Sequence, residues 1–388
     1  MTQRRHQPPS AAVIATKMSG STRRDRMAQL RQLLGASSPS RRGRPRVLLA
    51  GKLTGMSAPG GGETQLMALS RHLPRVGVDA RLWRPWEERF AGFDLLHLVG
   101  SEPEHLPVAQ AARRAGVLTA LSTVAWFDLA SYARQSPHSF GRLAACGRFV
   151  ARAAFPKLPS WRRSLYHAVD LLLPNSQVEA RQLTRYFGVP KAKIQVIHNG
   201  AEESFACGRP EPFVERFGVR DFVLYPGRVE PRKNQLGFLR AMRGSDVPIV
   251  VLGDVVPGNE AYLAACRRAA GANVRFVGRL DPADEMLASA YAASRCVVLA
   301  SWFETPGLTA LEAAMSGVPL VLPRRGAAPE YFGSLAQYVS SQDGGELKRL
   351  VLDAYRRPRS NELARLVRRQ FTWQAAARAT REAYEQII

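Results

Sequence analysis

Lysine is scarce in this chain of 388 residues, yet the formal net charge is +23. Arginine therefore carries nearly all of the positive charge. An Arg- and Ala-rich composition fits codon bias in a GC-rich genome, and it equally fits attraction to an anionic partner. No nucleic-acid-binding motif occurs, so nucleic acid is not the expected partner and an anionic membrane surface is. Cysteine is sparse as well. Cys146, Cys207, Cys266 and Cys296 lie far apart with no C-x-x-C pair, which excludes the usual zinc and redox motifs. They read as reduced core thiols of a cytosolic protein. No apolar run approaches the roughly 20 residues of a spanning helix, and the basic N-terminus lacks a continuous hydrophobic segment, so no signal peptide is expected. The expected location is cytoplasmic, with peripheral attachment to the inner face of the membrane.

Three chemistry-bearing motifs are also missing. There is no G-x-G-x-x-G, and no acidic residue ends the second strand where a dinucleotide ribose would sit, so a dinucleotide dehydrogenase is excluded. There is no G-K-[ST], which argues against an NTPase. There is no D-x-D, so a metal held by an Asp pair is not expected. The seven histidines are scattered. His97 and His198 read as structural, and no Ser-His-Asp arrangement stands out.

What is present is a repeated alternation of strand and helix. Residues 1–44 are rich in Arg, Ser and Pro and read as a basic disordered arm, with a short helix around Asp25–Leu34. Its alternative is an extension without function. From Arg46 onward, RVLLAG (46–51), VDARLW (78–83), FDLLHLVG (93–100), VLTALST (117–123), DLLLPNS (170–176) and KIQVIHNG (193–200) read as strands. The alternation restarts with FVLYPGR (222–228), PIVVLG (248–253), VRFVGRL (274–280), CVVLA (296–300), PLVLP (319–323) and QYVSS (337–341). Helical patterns fill most gaps. The fold class is α/β, with two Rossmann-like, doubly wound parallel-sheet domains facing a cleft. The expected division is 1–44 arm, 45–205 N-terminal domain, 206–370 C-terminal domain, and a terminal helix over 371–388.

In open parallel sheets, ligands bind at the carboxyl ends of strands. Two loops there are rich in candidates. SWFETPGLTALEAAMSGVP (301–319) places Glu304 and Glu312 around a Pro306-Gly307 turn and the start of a helix. A helix N-terminus suits phosphate, through N–H groups at Gly307, Leu308 and Thr309. Glu304 and Glu312 can then hold the hydroxyls of a sugar and of a ribose. Thr309 also reads as a helix cap, and Glu312 also reads as a plain complement to the helix dipole. LYPGRVEPRKN (224–234) offers Arg228 and Lys233 as a clamp for a diphosphate. Solvated surface cations are the alternative reading. A third loop, PGGGET (59–64), lets backbone approach a ligand closely. Together these features argue for a nucleotide-sugar site.

In this order the segments resemble the glycosyltransferase group 1, or family 4, of GT-B fold. GGGETQLMALSRHL, LLLPNSQVEARQL, KIQVIHNGAE, LYPGRVEPRKNQLGFLRAM and FETPGLTALEAAMSGVPLVLP carry the resemblance, which runs from about Arg46 to the C-terminus. It implies that Arg228 and Lys233 bind the donor diphosphate, that Glu304 contacts the transferred sugar, that Gly307–Thr309 touch sugar and phosphate through the backbone, and that Glu312 holds the ribose. Gly61 and Gly62 would let the N-terminal domain close over the phosphates, and the terminal helix would return to that domain. Transfer would retain the anomeric configuration by front-face attack, with no protein nucleophile, cofactor or essential metal. One position departs from the family. LSTVAWFD (121–128) lacks the histidine many members carry beside the transferred sugar, so Ser122, Thr123 or Trp126 would line that pocket instead.

The expected function is therefore hexosyl transfer from a UDP- or GDP-sugar to a glycan or lipid-linked acceptor in envelope or exopolysaccharide synthesis. A non-catalytic nucleotide-sugar-binding scaffold and a GT-B sugar-nucleotide epimerase are the alternatives. Residues 140–169, where Arg142, Arg148, Arg152, Arg162 and Arg163 interleave with Phe149, Phe155 and Trp161, read either as an interfacial patch or as an ordinary solvated helix.

Overall fold

The computed structural model describes residues 43–388 apart from 53–54, 56–58, 131–138, 282–283, 306 and 341–342. The side chains of Ser139, Phe140 and Arg142 are also outside the described set. The arm expected over 1–44, its short helix, and Pro306 of the Pro306-Gly307 turn thus fall outside the described residues, except for the last positions of the arm.

Buried apolar runs become strands, and the amphipathic stretches between them become helices. The first half runs β1 (Arg46–Ala50), α1 (Gly61–His72), β2 (Asp79–Leu82), β3 (Leu95–Val99), α2 (His105–Arg114), β4 (Leu118–Ser122), α3 (Ser139–Ala154), α4 (Trp161–Ala168), β5 (Leu171–Leu172) and α5 (Gln177–Phe187). The second runs α6 (Glu211–Phe217), β6 (Phe222–Pro226), α7 (Gln235–Ala241), β7 (Ile249–Leu252), α8 (Glu260–Ala269), β8 (Val274–Gly278), α9 (Glu285–Ala293) and β9 (Ser294–Val298). It continues with α10 (Leu308–Met315), β10 (Leu320–Pro323), α11 (Ala328–Phe332), β11 (Gln337–Val339), α12 (Gly344–Arg356), α13 (Asn361–Gln370) and α14 (Trp373–Glu385).

All strand pairs are parallel, in the orders β2-β1-β3-β4-β5 and β11-β10-β9-β6-β7-β8. Strands such as β3 and β6 are buried along their whole length, as expected where helices cover both faces of a sheet. Each order reverses once. The first sheet reverses between β1 and β3, the second between β6 and β9, and such switch points are where ligands enter open parallel sheets.

Two expectations change here. KIQVIHNG is not a strand: it makes one isolated bridge, Leu172 with Ile194, and two further bonds, Gln195 N–H to Leu172 C=O and Ile197 N–H to Pro174 C=O. Its partner β5 is only two residues long, so there is no strand for it to pair along. A Cβ at Gly200 would stand 2.2 Å from the Thr372 carbonyl carbon, so glycine is required because another backbone segment crosses there. Cys207 is exposed, unlike buried Cys266 and Cys296, and does not belong to the core.

That crossing launches α14. Thr372 Oγ1 accepts from Ala375 N–H at 3.1 Å and starts the helix. Trp373, Ala376, Ala377, Ala383, Tyr384 and Ile387 then pack into one cluster with Val47, Leu49, Leu69 and Leu95 of the first half. Full burial of each large side chain is worth about 1.5–3 kcal/mol. The final helix is therefore bound to the first sheet although it follows the second in sequence. Among the described residues, no helix is long and apolar enough to cross a membrane.

Candidate active site

The switch point between β6 and β9 holds the two charged residues expected on its lips. The chain leaving β6 makes a short turn, Pro231–Lys233, and the chain leaving β9 runs through Ser301 to Glu304. Lys233 Nζ lies 2.6 Å from Glu304 Oε1, with both side chains nearly buried. Ser301 Oγ donates to the same oxygen at 2.6 Å. Burial by itself would raise the Glu304 carboxyl pKa. The Lys233 and Arg232 charges and these hydrogen bonds overcome that effect and hold it below the usual carboxylate range. Burial lowers the Lys233 ammonium in turn. The sequence reading assigned these two residues to different parts of a ligand, and the structure joins them directly.

Tyr225, the penultimate residue of β6, fixes both lips. Its hydroxyl donates to Lys233 C=O and accepts from Ala300 N–H at 2.9 Å. On the far side of Glu304 the chain packs against Gly326, where a Cβ would stand 2.1 Å from the Glu304 carbonyl oxygen and φ is +119°. Only glycine fits that contact. The Glu304 carbonyl also accepts from Ala327 N–H at 2.8 Å.

Gly307 begins α10 with a left-handed φ of 82° and no side-chain cap. Thr309 is thus inside the first turn rather than capping it, which corrects that reading. The Gly307 carbonyl accepts from Ala310 N–H at 2.9 Å, and the N–H groups of Leu308 and Thr309 sit at the uncapped helix start. Glu312 lies one turn further on, half-buried. Tyr291 O–H donates to its Oε2 at 2.7 Å, and burial pushes its carboxyl up to about 7.

The opposite wall comes from the loop after β1. Gly61 and Gly62 form the first turn of α1 rather than a loop, with Gly60 as the residue before it. Glu63 Oε2 accepts from Gly60 N–H at 2.8 Å. A Cβ at Gly60 would stand 3.1 Å from Arg228 Nη1, and one at Gly61 would stand 3.7 Å from Leu308 Cδ1. Among the described residues beyond its own helix and chain neighbours, none lies within 4 Å of a Gly62 Cβ position. The N-termini of α1 and α10 therefore face one another with Arg228 between them. Two positive helix ends and a guanidinium on one spot make a place for an anion of high charge. Arg228 is also 3.6 Å from Glu230, which pairs with Arg232 at 2.9 Å.

Ser122 and Thr123 do not line this cleft. Both are buried and their hydroxyls are committed. Ser122 Oγ is 2.9 Å from His97 Nε2 and accepts from Gln65 Nε2 at 3.2 Å. Thr123 Oγ1 donates to Glu179 Oε1 at 2.5 Å. His97, whose Nδ1 is 2.6 Å from Tyr384 O–H, is a satisfied core histidine whose pKa burial lowers to about 3. Trp126 does reach the cleft. Its ring stacks on Phe303 at 5.9 Å between centroids and 15° between planes. Arg232 lies over the same Phe303 ring at 5.4 Å.

The sequence reading missed the contacts that join the halves. Glu330 of α11 accepts from Gln177 N–H at 2.8 Å and Val178 N–H at 3.3 Å, capping α5 from the opposite side, and lies 2.8 Å from His198. Tyr331 O–H donates to Asn175 C=O at 2.7 Å. It also missed Glu179, which holds the 123–125 turn. Val124 there has φ 44°, an outlier for a β-branched residue that costs on the order of 1–3 kcal/mol. The S-x-x-E spacing of Ser176 and Glu179 was a visible cue, but it signals an ordinary capping box and not a long-range contact. Among the described residues, no group of three or more His, Cys, Asp or Glu side chains is placed to hold a metal.

The family described as Glycosyltransferase Family 4 matches residues 59–205, and the one described as Glycosyl transferases group 1 matches residues 212–368. This chain belongs to the group 1 glycosyltransferases. Its two sheets and the cleft between them are the GT-B fold. It is 25% identical over 242 residues to the O-antigen chain mannosyltransferase B of Escherichia coli, covering 58% of this chain and 63% of the relative. It is 28% identical over 245 residues to a D-inositol 3-phosphate glycosyltransferase of Catenulispora acidiphila, covering 57% of each. The match thus spans less than two thirds of these curated relatives. An Anabaena protein solved in complex with UDP and glucose shares the fold, with a TM-score of 0.63 and 16% identity over 87% of this chain and 99% of that one.

The raised Glu312 carboxyl gives a pH signature. Its charged form grows as pH rises through about 7. If that carboxylate accepts ligand hydroxyls, kcat/KM for the nucleotide ligand rises between pH 6 and 8, and Glu312→Gln flattens the rise. A pH–rate profile that is the same in both proteins contradicts this role.

Proposed function

We propose that this group 1 chain is a retaining glycosyltransferase. In this reading it moves a hexosyl unit from a UDP- or GDP-linked sugar to a glycan or lipid-linked acceptor in envelope or exopolysaccharide synthesis. The observation that carries the reading is the meeting of Lys233, Glu304 and the α10 N-terminus at the β6/β9 switch point, opposite Arg228 and the α1 N-terminus. The names of the relatives, and the UDP and glucose held by the structural neighbour, agree with that chemistry.

The roles follow from charge and position. Arg228, Lys233 and the N–H groups of Leu308 and Thr309 hold the diphosphate and stabilise the negative charge that grows as the sugar departs. Gly61 and Gly62 bring the α1 dipole onto it. Glu312 accepts the ribose hydroxyls. Glu304, released from Lys233 as the phosphate takes the ammonium, accepts a hydroxyl of the transferred sugar. The acceptor hydroxyl then attacks on the face from which the diphosphate leaves, and the leaving phosphate takes its proton. With cations and helix ends carrying the diphosphate charge, this reading needs no metal and no cofactor. Glu304→Gln keeps the shape and removes the charge, and it is expected to lower kcat at least a hundredfold. The check is a thermal-shift screen of UDP-, GDP- and ADP-sugars followed by transfer assays. Stabilisation by one donor, with turnover lost in Glu304→Gln, is the expected result. Equal turnover in the variant, or no response to any donor, overturns the reading.

The acceptor side carries a further surface. Between Asp128 and Asp170 the sequence contains no acidic residue. There the structure exposes Leu143 (72%), Val150 (57%) and Phe155 (64%) beside exposed Arg148 and Lys157. Apolar side chains rimmed by cations suit an anionic lipid surface, such as the inner face of the cytoplasmic membrane. Co-sedimentation with vesicles containing anionic lipid, lost at high salt and weakened in Leu143→Ser/Phe155→Ser, is expected. Binding to neutral vesicles alone, or to none, contradicts it.

A further inference from the structure

The turn after β4 is held in a costly conformation by a residue from another element. Glu179 of α5 is fully buried and accepts from three donors: Thr123 O–H at 2.5 Å, Ala125 N–H at 2.6 Å and Asn175 N–H at 2.9 Å. Two of those donors bracket Val124, the β-branched residue at φ 44°. One helical turn later, Gln182 Oε1 accepts from Phe127 N–H at 3.0 Å. One face of α5 thus holds the Thr123 hydroxyl and the backbone of residues 125 and 127. Two of the donors reach Oε1 and the third reaches Oε2, and all three favour the ionised carboxylate. Burial works against that form and pushes the Glu179 carboxyl up to about 7.

This expense has one evident product. The fixed turn delivers Trp126 across the cleft onto Phe303, the neighbour of Glu304. Arg325 approaches Asp128 at 4.0 Å in the same region. We propose that Glu179 is a positioning residue, which acts through the Val124 turn to lay Trp126 on Phe303 and so form the aromatic wall against which the transferred sugar packs. The proposal rests on the glycosyl-transfer reading for the identity of that ligand. It does not need that reading for the geometry. Aromatic faces suit the C–H faces of a sugar ring, and a wall built from both halves of the chain is complete only when the cleft is closed.

The test is a cycle of Glu179→Gln, Trp126→Ala and the double variant, with two independent readouts. The first is transfer kinetics with the donor found by screening. Each single change is expected to lower kcat at least tenfold while nucleotide affinity stays within twofold. The double variant is expected to be no more than twofold worse than the weaker single. Losses that multiply, or wild-type kcat in Glu179→Gln, overturn the proposal. The second readout is near-ultraviolet circular dichroism without ligand. Glu179→Gln is expected to reproduce the spectral change that Trp126→Ala causes, and an unchanged spectrum overturns the proposal. If wild type transfers no sugar, the reaction reading fails while this spectral arm still decides the geometry. Should Glu179→Gln not fold, Thr123→Val removes one donor and is expected to lower kcat about threefold, with wild-type kinetics as the contrary result.

Discussion

The buried pair of Lys233 and Glu304 is the interaction around which the site is arranged. Both charges are nearly removed from water, so neither is tolerated alone. Removing one partner of such a pair costs about 3–5 kcal/mol, because the other is left uncompensated. Pairing therefore pins the loop after β6 to the loop after β9 across the line where the second sheet reverses direction. Tyr225 and Ser301 tie the same two loops with hydrogen bonds, and Gly326 lets a third segment close in from behind. The α10 N-terminus follows within four residues, so its position is set by the same anchor. In the proposed reaction the pair exchanges partners. A diphosphate is a stronger partner for the ammonium than a carboxylate, and a sugar hydroxyl can take the ammonium's place on Glu304.

The first sheet serves this arrangement by bringing a second helix end to it. Its switch point sits at β1 and β3, and α1 begins there. Contact between the halves is not left to that one place. Glu330 caps α5 from across the cleft, Tyr331 bonds to Asn175, and α14 is buried against the first sheet after the second is complete. Gly200 marks where the returning segment crosses, with backbone against backbone. The relative placement of the two switch points thus depends on packing far from the site as well as on residues within it.

Much of this was legible in the sequence, for physical reasons that differ by element. Period and length announced most of the buried strands, and a glycine next to a helical pattern announced the start of α10 at Gly307. The order of glycine loop, basic turn and acidic loop made the family readable. KIQVIHNG was misread because its alternation is that of an extended segment, while pairing depends on a partner two residues long. Ser122 and Thr123 stand where many members of the family carry the histidine, but position in the chain does not set the direction of a side chain. A sequence carries no sign that their hydroxyls turn inward to His97 and Glu179. The Lys233–Glu304 contact spans seventy-one positions and depends on β6 lying beside β9, which no local pattern encodes. Trp126 on Phe303 is of the same kind.

The most direct test of the account is a crystal structure with a bound nucleoside-diphosphate sugar. Diphosphate oxygens are expected about 3 Å from Lys233 Nζ, from Arg228 and from the N–H groups of Leu308 and Thr309, with the sugar against Glu304 and the ribose against Glu312. A diphosphate bound away from the β6/β9 switch point, with Lys233 still paired to Glu304, would contradict it.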